Sequence, residues 1–185
     1  MDGRRQQILT EAALLFGRQG FERTSIRDIA AAVGMLAGSV YYYFPSKDAL
    51  LVSVYEDAID HMIAAVDMAT QQYFDPWDRL EAAATAHLRM LLGGGSIAAV
   101  VAGSPAETSS VRLELIQQRD RYERVIRTLI DAIALPPDIE PASFRLALLG
   151  ALNWTLTWFR PGHADGRSPD EIARSLFAVF RAGRS

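Results

Sequence analysis

The chain has 185 residues, of which 50% are hydrophobic and 22% are charged, and its formal net charge is -3 at pH 7. This length and composition fit one globular unit or two small helical units, and they exclude a disordered tail or a fibre. The sequence contains no cysteine, which excludes disulfides, thiolate metal sites and thiol catalysis and favours a reducing compartment. The polar first residues lead into an amphipathic pattern rather than an apolar signal core, so we expect a cytoplasmic protein that does not engage a membrane.

Turn and capping signals divide the first fifty residues into short helices. An apolar stripe with helical spacing covers residues 4–18 and is followed by a glycine. Ser25 lies three residues before Asp28, which is the order of a capping box, and it predicts the start of a second helix. Gly34 is expected to end this helix in the left-handed conformation. A very short third element is predicted at residues 36–42.

A longer helix is predicted to begin after Ser46, which can act as its N-cap. Helical spacing of apolar residues continues along the chain, and no alternation of period two is long enough for a strand. Further helices are predicted at residues 77–92, 97–101, 111–134, 141–159 and 169–182. The predicted fold class is therefore all-α, with a three-helix head at residues 1–46 and a helical C-terminal domain at residues 47–185.

Two short helices joined by a tight turn at Gly34 form the arrangement of a helix-turn-helix motif. In such a motif one helix braces the domain, and the other places its first side chains in the major groove of DNA. The second helix would bring the small residues 37–39 close to base edges, and the hydroxyls of Tyr41 and Tyr42 can reach phosphates. Lys47 lies in the first turn of the next helix, where the helix dipole disfavours a cation, so its position favours a bound phosphate.

Residues 20–50 hold a coordinated series of motifs. They are Gly20-Phe21-x-x-Thr24-Ser25-Ile26-Arg27-Asp28-Ile29-Ala30, then Gly34, and then Gly38-Ser39-Val40-Tyr41-Tyr42-Tyr43-Phe44-x-Ser46-Lys47-x-x-Leu50. Together with the preceding helix, this series resembles the TetR family of bacterial transcription regulators over residues 4–51. The resemblance implies a homodimeric repressor whose protomers carry a DNA-binding helix-turn-helix head and a helical ligand-binding and dimerisation domain.

The same resemblance implies which residues contact double-stranded operator DNA. They are Thr24, Ser25, Arg27, Ala37, Gly38, Ser39, Tyr41, Tyr42 and Lys47. Leu36 and Ala37 depart from the family pattern, in which these positions are commonly polar. Their apolar side chains predict few hydrogen bonds to bases and a larger share of readout through phosphates and DNA shape.

Three further motifs lie in the C-terminal part of the chain. They are Leu115-x-x-x-Arg119-Asp120-x-Tyr122-Glu123, Asn153-Trp154-Thr155-x-Thr157-Trp158-Phe159-Arg160-Pro161-Gly162 and Ser168-Pro169-Asp170-Glu171-Ile172-Ala173. These motifs are similar to the TetR subgroup that controls fatty-acid, aromatic-acid and sterol breakdown. The similarity implies a small hydrophobic effector, such as an acyl-CoA, whose binding releases the DNA.

An acyl-CoA needs apolar side chains around its acyl part and cations at its phosphates. The predicted ligand-binding residues are Met90, Arg119, Tyr122, Trp154 and Trp158, with Arg112, Arg121, Arg124 and Arg160 as further candidate cations. In an alternative interpretation the apolar residues form the core and the two tryptophans pack in the dimer. The arginines then belong to a solvated helix face with acidic neighbours.

The last two predicted helices have the character of a four-helix interface between protomers. The predicted interface residues are Leu149, Leu152, Leu176 and Phe180. An enzyme is disfavoured, because His61, His87 and His163 lack metal-ligand spacing and the glycine run at residues 93–95 follows no strand. No cofactor or metal is expected. Two other functions stay open, namely a drug-sensing efflux-pump repressor of the same fold and a helical interaction module that does not bind DNA.

Overall fold

A computed structural model of the chain describes residues 3–93, 111–160 and 166–182. Over these ranges the chain is all-α, as predicted, and forms eight helices with no strand. They are α1 (Gly3–Gln19), α2 (Ile26–Ala32), α3 (Ala37–Tyr43), α4 (Lys47–Thr70), α5 (Pro76–Leu92), α6 (Arg112–Asp131), α7 (Pro141–Trp158) and α8 (Pro169–Ala182). The helix predicted at residues 97–101 lies outside the described residues. None of the described helices is long and apolar enough to cross a membrane.

The chain divides into two compact units. Of the described residues, 3–60 and 111–120 belong to the first unit, and 61–93, 121–160 and 166–182 belong to the second. Helices α4 and α6 each contribute residues to both units. The domain boundary predicted between residues 46 and 47 stays a prediction.

In the first unit, α1 buries an apolar stripe made of Ile8, Leu9, Ala12, Ala13 and Phe16. The Gln6 amide donates to both carboxylate oxygens of Asp57 at 3.1 Å, which joins α1 to the first half of α4. Gly34 ends the α2 region with φ +64°, the left-handed conformation that its sequence position predicts. The turn between α2 and α3 is therefore tight, and the two short helices pack against each other.

In the second unit, α5 packs against α7 and α8. Trp77 lies edge-on to both Phe144 and Phe177 with ring centroids 6.1 Å apart, which forms an aromatic core between the three helices. Near the start of α5, Asp78 accepts a hydrogen bond from Arg181 at 2.7 Å. Arg89 and Asp170 pair near the other end of α5. Because Asp170 lies in the first turn of α8 and Arg181 in its last turn, the two ion pairs fix α8 antiparallel to α5.

Candidate DNA-binding surface and ligand-binding cluster

Helix α3 is anchored by one side chain and exposes most of the others. Val40 is 0% exposed and packs in the core of the first unit, whereas Tyr42 is 86% exposed and Tyr41 is 51% exposed. Gly38 and Ser39 are also exposed. A Cβ atom added at Gly38 would meet no atom within 4 Å, so packing within the chain does not require a glycine there. The small residues Gly38 and Ser39 therefore leave room for the backbone of α3 to approach DNA closely.

The start of α2 is held by the predicted capping box. The Ser25 hydroxyl accepts a hydrogen bond from the Asp28 amide at 3.2 Å, and the Asp28 carboxylate accepts one from the Ser25 amide at 2.9 Å. The carboxylate also accepts from the Ser25 hydroxyl, and these hydrogen bonds lower the pKa of Asp28 below its ordinary value. Ser25 and Arg27 are exposed at this end of the helix. Arg27 is thus presented to solvent by a rigid turn of backbone.

Thr24 lies inside the first unit and not on this surface. Its side chain is 1% exposed, and its hydroxyl donates to the Gly20 carbonyl oxygen at 2.8 Å. The structure thus separates Thr24 from the exposed residues with which the sequence grouped it. Its side chain holds the link between α1 and α2, and the predicted DNA contact of Thr24 remains a prediction.

Lys47 is also engaged within the first unit. Its ammonium group donates to the carbonyl oxygens of Phe21 at 2.9 Å and Thr24 at 3.1 Å, and it lies 4.2 Å from the centroid of the Phe21 ring. A cation above an aromatic face with two carbonyl acceptors is well satisfied without a phosphate. Lys47 therefore clamps the α1–α2 link onto the start of α4, a positioning role that the sequence did not reveal.

Substitution of Lys47 by methionine separates this role from a phosphate contact. Methionine keeps an apolar stem beside Phe21 but removes both hydrogen bonds, so we expect the free energy of unfolding to fall by about 1–3 kcal/mol. The slope of log affinity for DNA against log salt should stay unchanged. A slope smaller by about one for each lost contact would show instead that Lys47 binds phosphate. Arg18→Met, at an exposed position on α1, is the matched control for the loss of one charge.

In the second unit a buried histidine and a buried tyrosine form a polar cluster with the exposed Asn153. His87 Nδ1 is 2.8 Å from the hydroxyl of Tyr122, and His87 Nε2 is 3.1 Å from the side-chain oxygen of Asn153. Because an amide oxygen only accepts, Nε2 carries the proton and Nδ1 accepts from Tyr122. Burial lowers the pKa of His87 to about 4 and raises that of Tyr122. The cluster is therefore neutral, and it ties α5 to α6 and α7.

The predicted ligand-binding residues differ in their burial. Tyr122 is buried in the polar cluster, and Met90 is half-buried on α5. Trp154 and Trp158 lie on the outer side of α7, where they are 66% and 43% exposed. Arg119 belongs to the first unit, is exposed and pairs with Asp120 at 3.5 Å. The sequence did not predict that His87 and Asn153 would join Tyr122, although a histidine within the apolar stripe of α5 was a signal of burial.

The predicted interface residues divide between the interior and the surface of the protomer. Leu152 is 1% exposed and Leu149 is 8% exposed, so both pack within the second unit. Leu176 and Phe180 are half-buried, and the Phe180 ring lies 5.4 Å from that of Phe144. The large apolar residues that are exposed on the same two helices are Leu146, Trp154, Trp158 and Val179. Around Gly150, which is also exposed, α7 therefore has a second apolar face that the protomer does not cover.

Comparison with known proteins decides the family. Residues 8–54 match the model described as bacterial regulatory proteins of the tetR family. Residues 73–183, more than half of the chain, match the tetracyclin repressor-like C-terminal domain. The chain belongs to the TetR family of bacterial regulatory proteins. Since TetR proteins are transcription regulators, this result confirms the prediction that the chain is not an enzyme.

Several TetR relatives match almost the whole chain. The HTH-type transcriptional repressor KstR2 of Rhodococcus jostii is 26% identical, with 98% of this chain and 91% of the relative aligned. The structure of the ketosteroid transcriptional regulator KstR2 of Mycobacterium tuberculosis is 20% identical, with a TM-score of 0.76 over 99% and 95% of the two chains. These relatives confirm the predicted similarity to the TetR subgroup of sterol regulators.

The structure of AibR in complex with isovaleryl coenzyme A and operator DNA has the same fold as this TetR protein. Its TM-score is 0.82 with 22% identity, over 95% of this chain and 97% of AibR. In the described part of the present chain, no group of three or more histidine or acidic side chains could hold a metal ion.

Proposed function

We propose that this TetR protein is a homodimeric repressor that binds operator DNA in the cytoplasm and releases it when a hydrophobic effector such as an acyl-CoA binds. The observation that carries the proposal is the construction of α3. Val40 fixes the helix in the core, while Gly38, Ser39, Tyr41 and Tyr42 are exposed, with the Tyr42 ring edge-on to that of Tyr43 at 5.3 Å. The major groove, about 12 Å wide, admits such a helix.

The contacts expected with DNA follow from these side chains. The exposed residues Gly38 and Ser39 are small enough for the backbone to approach base edges. Tyr41 and Tyr42 follow directly, and their phenol hydroxyls can donate to phosphate oxygens. Arg27 adds an exposed cation beside the capped start of α2. Phosphate contacts would dominate affinity, which fits the absence of amide and guanidinium side chains at residues 36–39.

The dimer is proposed to form through the exposed apolar face of α7 and α8. Leu146, Gly150 and Trp154 follow one another at helical spacing along α7, and Val179 is 72% exposed on α8. A pair of helices that presents such a face can meet its own copy across a twofold axis. Dimerisation would place two reading heads on half-sites separated by about 34–36 Å.

The effector is proposed to be an acyl-CoA on chemical grounds. AibR was crystallised with isovaleryl coenzyme A as well as operator DNA. Helix α6 of the present chain carries a series of arginines suited to phosphates, namely Arg112, Arg119, Arg121, Arg124 and Arg127. Tyr122 lies on its buried side. Helix α6 contributes residues to both units. An effector that binds α6 more tightly when DNA is released would lower the affinity for DNA, commonly by about 1–3 kcal/mol of coupling free energy.

Fluorescence anisotropy with labelled DNA from the region upstream of the gene tests the DNA-binding part. We expect binding that weakens steeply with salt, and Tyr42→Phe should weaken it by about tenfold because one hydrogen bond to a charged group is lost. Tyr73→Phe removes the same atom from an exposed tyrosine of the second unit and is the matched control. Failure to bind any DNA at low salt would favour the helical interaction module.

Effector titrations of the protein–DNA complex test the remaining part. Medium-chain and long-chain acyl-CoAs should release the DNA, whereas the free acids should not, because they lack the phosphates that the arginines would bind. Release by lipophilic cations alone would favour the drug-sensing repressor. Equal DNA affinity with and without saturating amounts of every ligand would refute an effector of these classes.

A further inference from the structure

Leu36 occupies an unusual position for a large apolar residue. It immediately precedes α3 as its N-cap, and its side chain is 80% exposed. Serine, threonine, asparagine and aspartate are strongly favoured at an N-cap, because their side chains accept hydrogen bonds from the first amides of the helix. Leu36 makes no such hydrogen bond. Neither burial in the core nor capping of α3 therefore explains a leucine here.

The side chains next to Leu36 limit how this part of the protein can read bases. Ala37, Gly38 and Ser39 provide a methyl group, no side chain and one hydroxyl. The bidentate hydrogen bonds that identify guanine and adenine need guanidinium, ammonium or amide groups, and residues 36–39 contain none. The major groove offers one apolar group, the C5 methyl of thymine, and this is the group that an exposed aliphatic side chain can recognise.

We infer that Leu36 is a specificity-determining residue that contacts a thymine methyl group in the operator. The inference rests on the proposed DNA binding and adds the base that one side chain reads. The Leu36 side chain is already exposed to solvent, so the contact requires no rearrangement of the core of the first unit. The contact between Leu36 and the methyl group removes apolar surface of both partners from water. A base without the methyl group buries less apolar surface and is therefore bound more weakly.

Deletion of single methyl groups from the DNA tests this inference. Duplexes that bind the full-length protein are selected from a random-sequence pool, and each thymine is then replaced by deoxyuridine, which keeps the base pair and loses only the methyl. At one thymine of each half-site we expect affinity to fall about fourfold, the effect of burying one methyl group. Leu36→Ala should bind the thymine and deoxyuridine duplexes equally well at that position and should keep the wild-type response elsewhere.

Two further variants distinguish a contact from a change in folding. Leu113→Ala alters a leucine that is 72% exposed on α6 and should leave every methyl response unchanged. Leu36→Ser adds a capping hydroxyl, so its melting temperature should rise while the methyl response disappears. The inference is overturned if wild type and Leu36→Ala respond alike at every thymine. Absence of any bound duplex would instead refute the proposed DNA binding.

Discussion

Replacing Gly150 by arginine should leave the protomer folded, prevent two copies from associating and lower operator affinity by about 100-fold or more. Gly150 is exposed in the middle of α7, between Leu146 and Trp154 on the same face. A Cβ atom there would meet nothing within 4 Å, so the protomer has room for a long side chain. Arginine also forms a helix more readily than glycine, which favours folding of the variant.

The proposed interface has no such room. In a twofold dimer the substituted residue occurs twice on facing helices, so two arginine charges would be buried close together without partners. Each free head would then bind one half-site, and the gain from joining two binding events, about 100-fold to 10,000-fold, would be lost. Gly150→Arg should therefore act on DNA binding even though residue 150 lies in the second unit and does not belong to the proposed DNA-binding surface.

Sedimentation velocity, circular dichroism and DNA anisotropy together check this result. Wild type should sediment as a dimer and Gly150→Arg as a monomer with the same helical content. Ala64→Arg introduces the same side chain at an exposed position of α4 and not on α7 or α8. It should change neither the sedimenting mass of the dimer nor the affinity for DNA. A Gly150→Arg protein that stays dimeric with unchanged affinity would place the interface on another surface.

Local hydrogen bonding explains why the head could be predicted from the sequence. The capping box joins residues three positions apart, and the left-handed turn at Gly34 depends on that residue alone. Lys47 behaves differently, because its acceptors lie 23 and 26 residues away in the chain. No pattern of neighbouring residues contains that contact. These contacts of Lys47 therefore had to come from the fold, and its predicted phosphate contact stays a prediction.

The same distinction applies to the second unit. Helical periodicity places apolar residues on α7, but it does not say which face meets the protomer core and which face remains exposed. Leu148 and Leu152 are each 1% exposed, while Leu146 is 63% exposed and Trp154 is 66% exposed. A helix that is apolar on both faces loses the polar contrast that would orient it. His87 likewise finds its partners 35 and 66 residues away.

Acidification should weaken the second unit through His87. In the folded chain its pKa is lowered from 6.5 to about 4, chiefly because burial penalises the charged ring. Between these two values the unfolded chain binds more protons than the folded chain, so stability falls as pH falls. The contribution of His87 is complete above pH 6.5, decreases towards pH 4 and then levels off. A shift of this size corresponds to about 3 kcal/mol in the free energy of unfolding.

His87→Gln isolates this contribution from the carboxylates that titrate in the same range. Glutamine cannot take up a proton, so the variant should be less stable than wild type at neutral pH but should lose less stability on acidification. Urea unfolding followed by circular dichroism at a series of pH values should therefore show the two free energies converging between pH 6.5 and about 4. His61→Gln, at an exposed position on α4, is the matched control for the loss of one imidazole. A constant difference between His87→Gln and wild type at all pH values would mean that His87 has the same pKa in the folded and unfolded chains. Its ring would then be protonated below pH 6.5 and could not accept the hydrogen bond from Tyr122 at Nδ1.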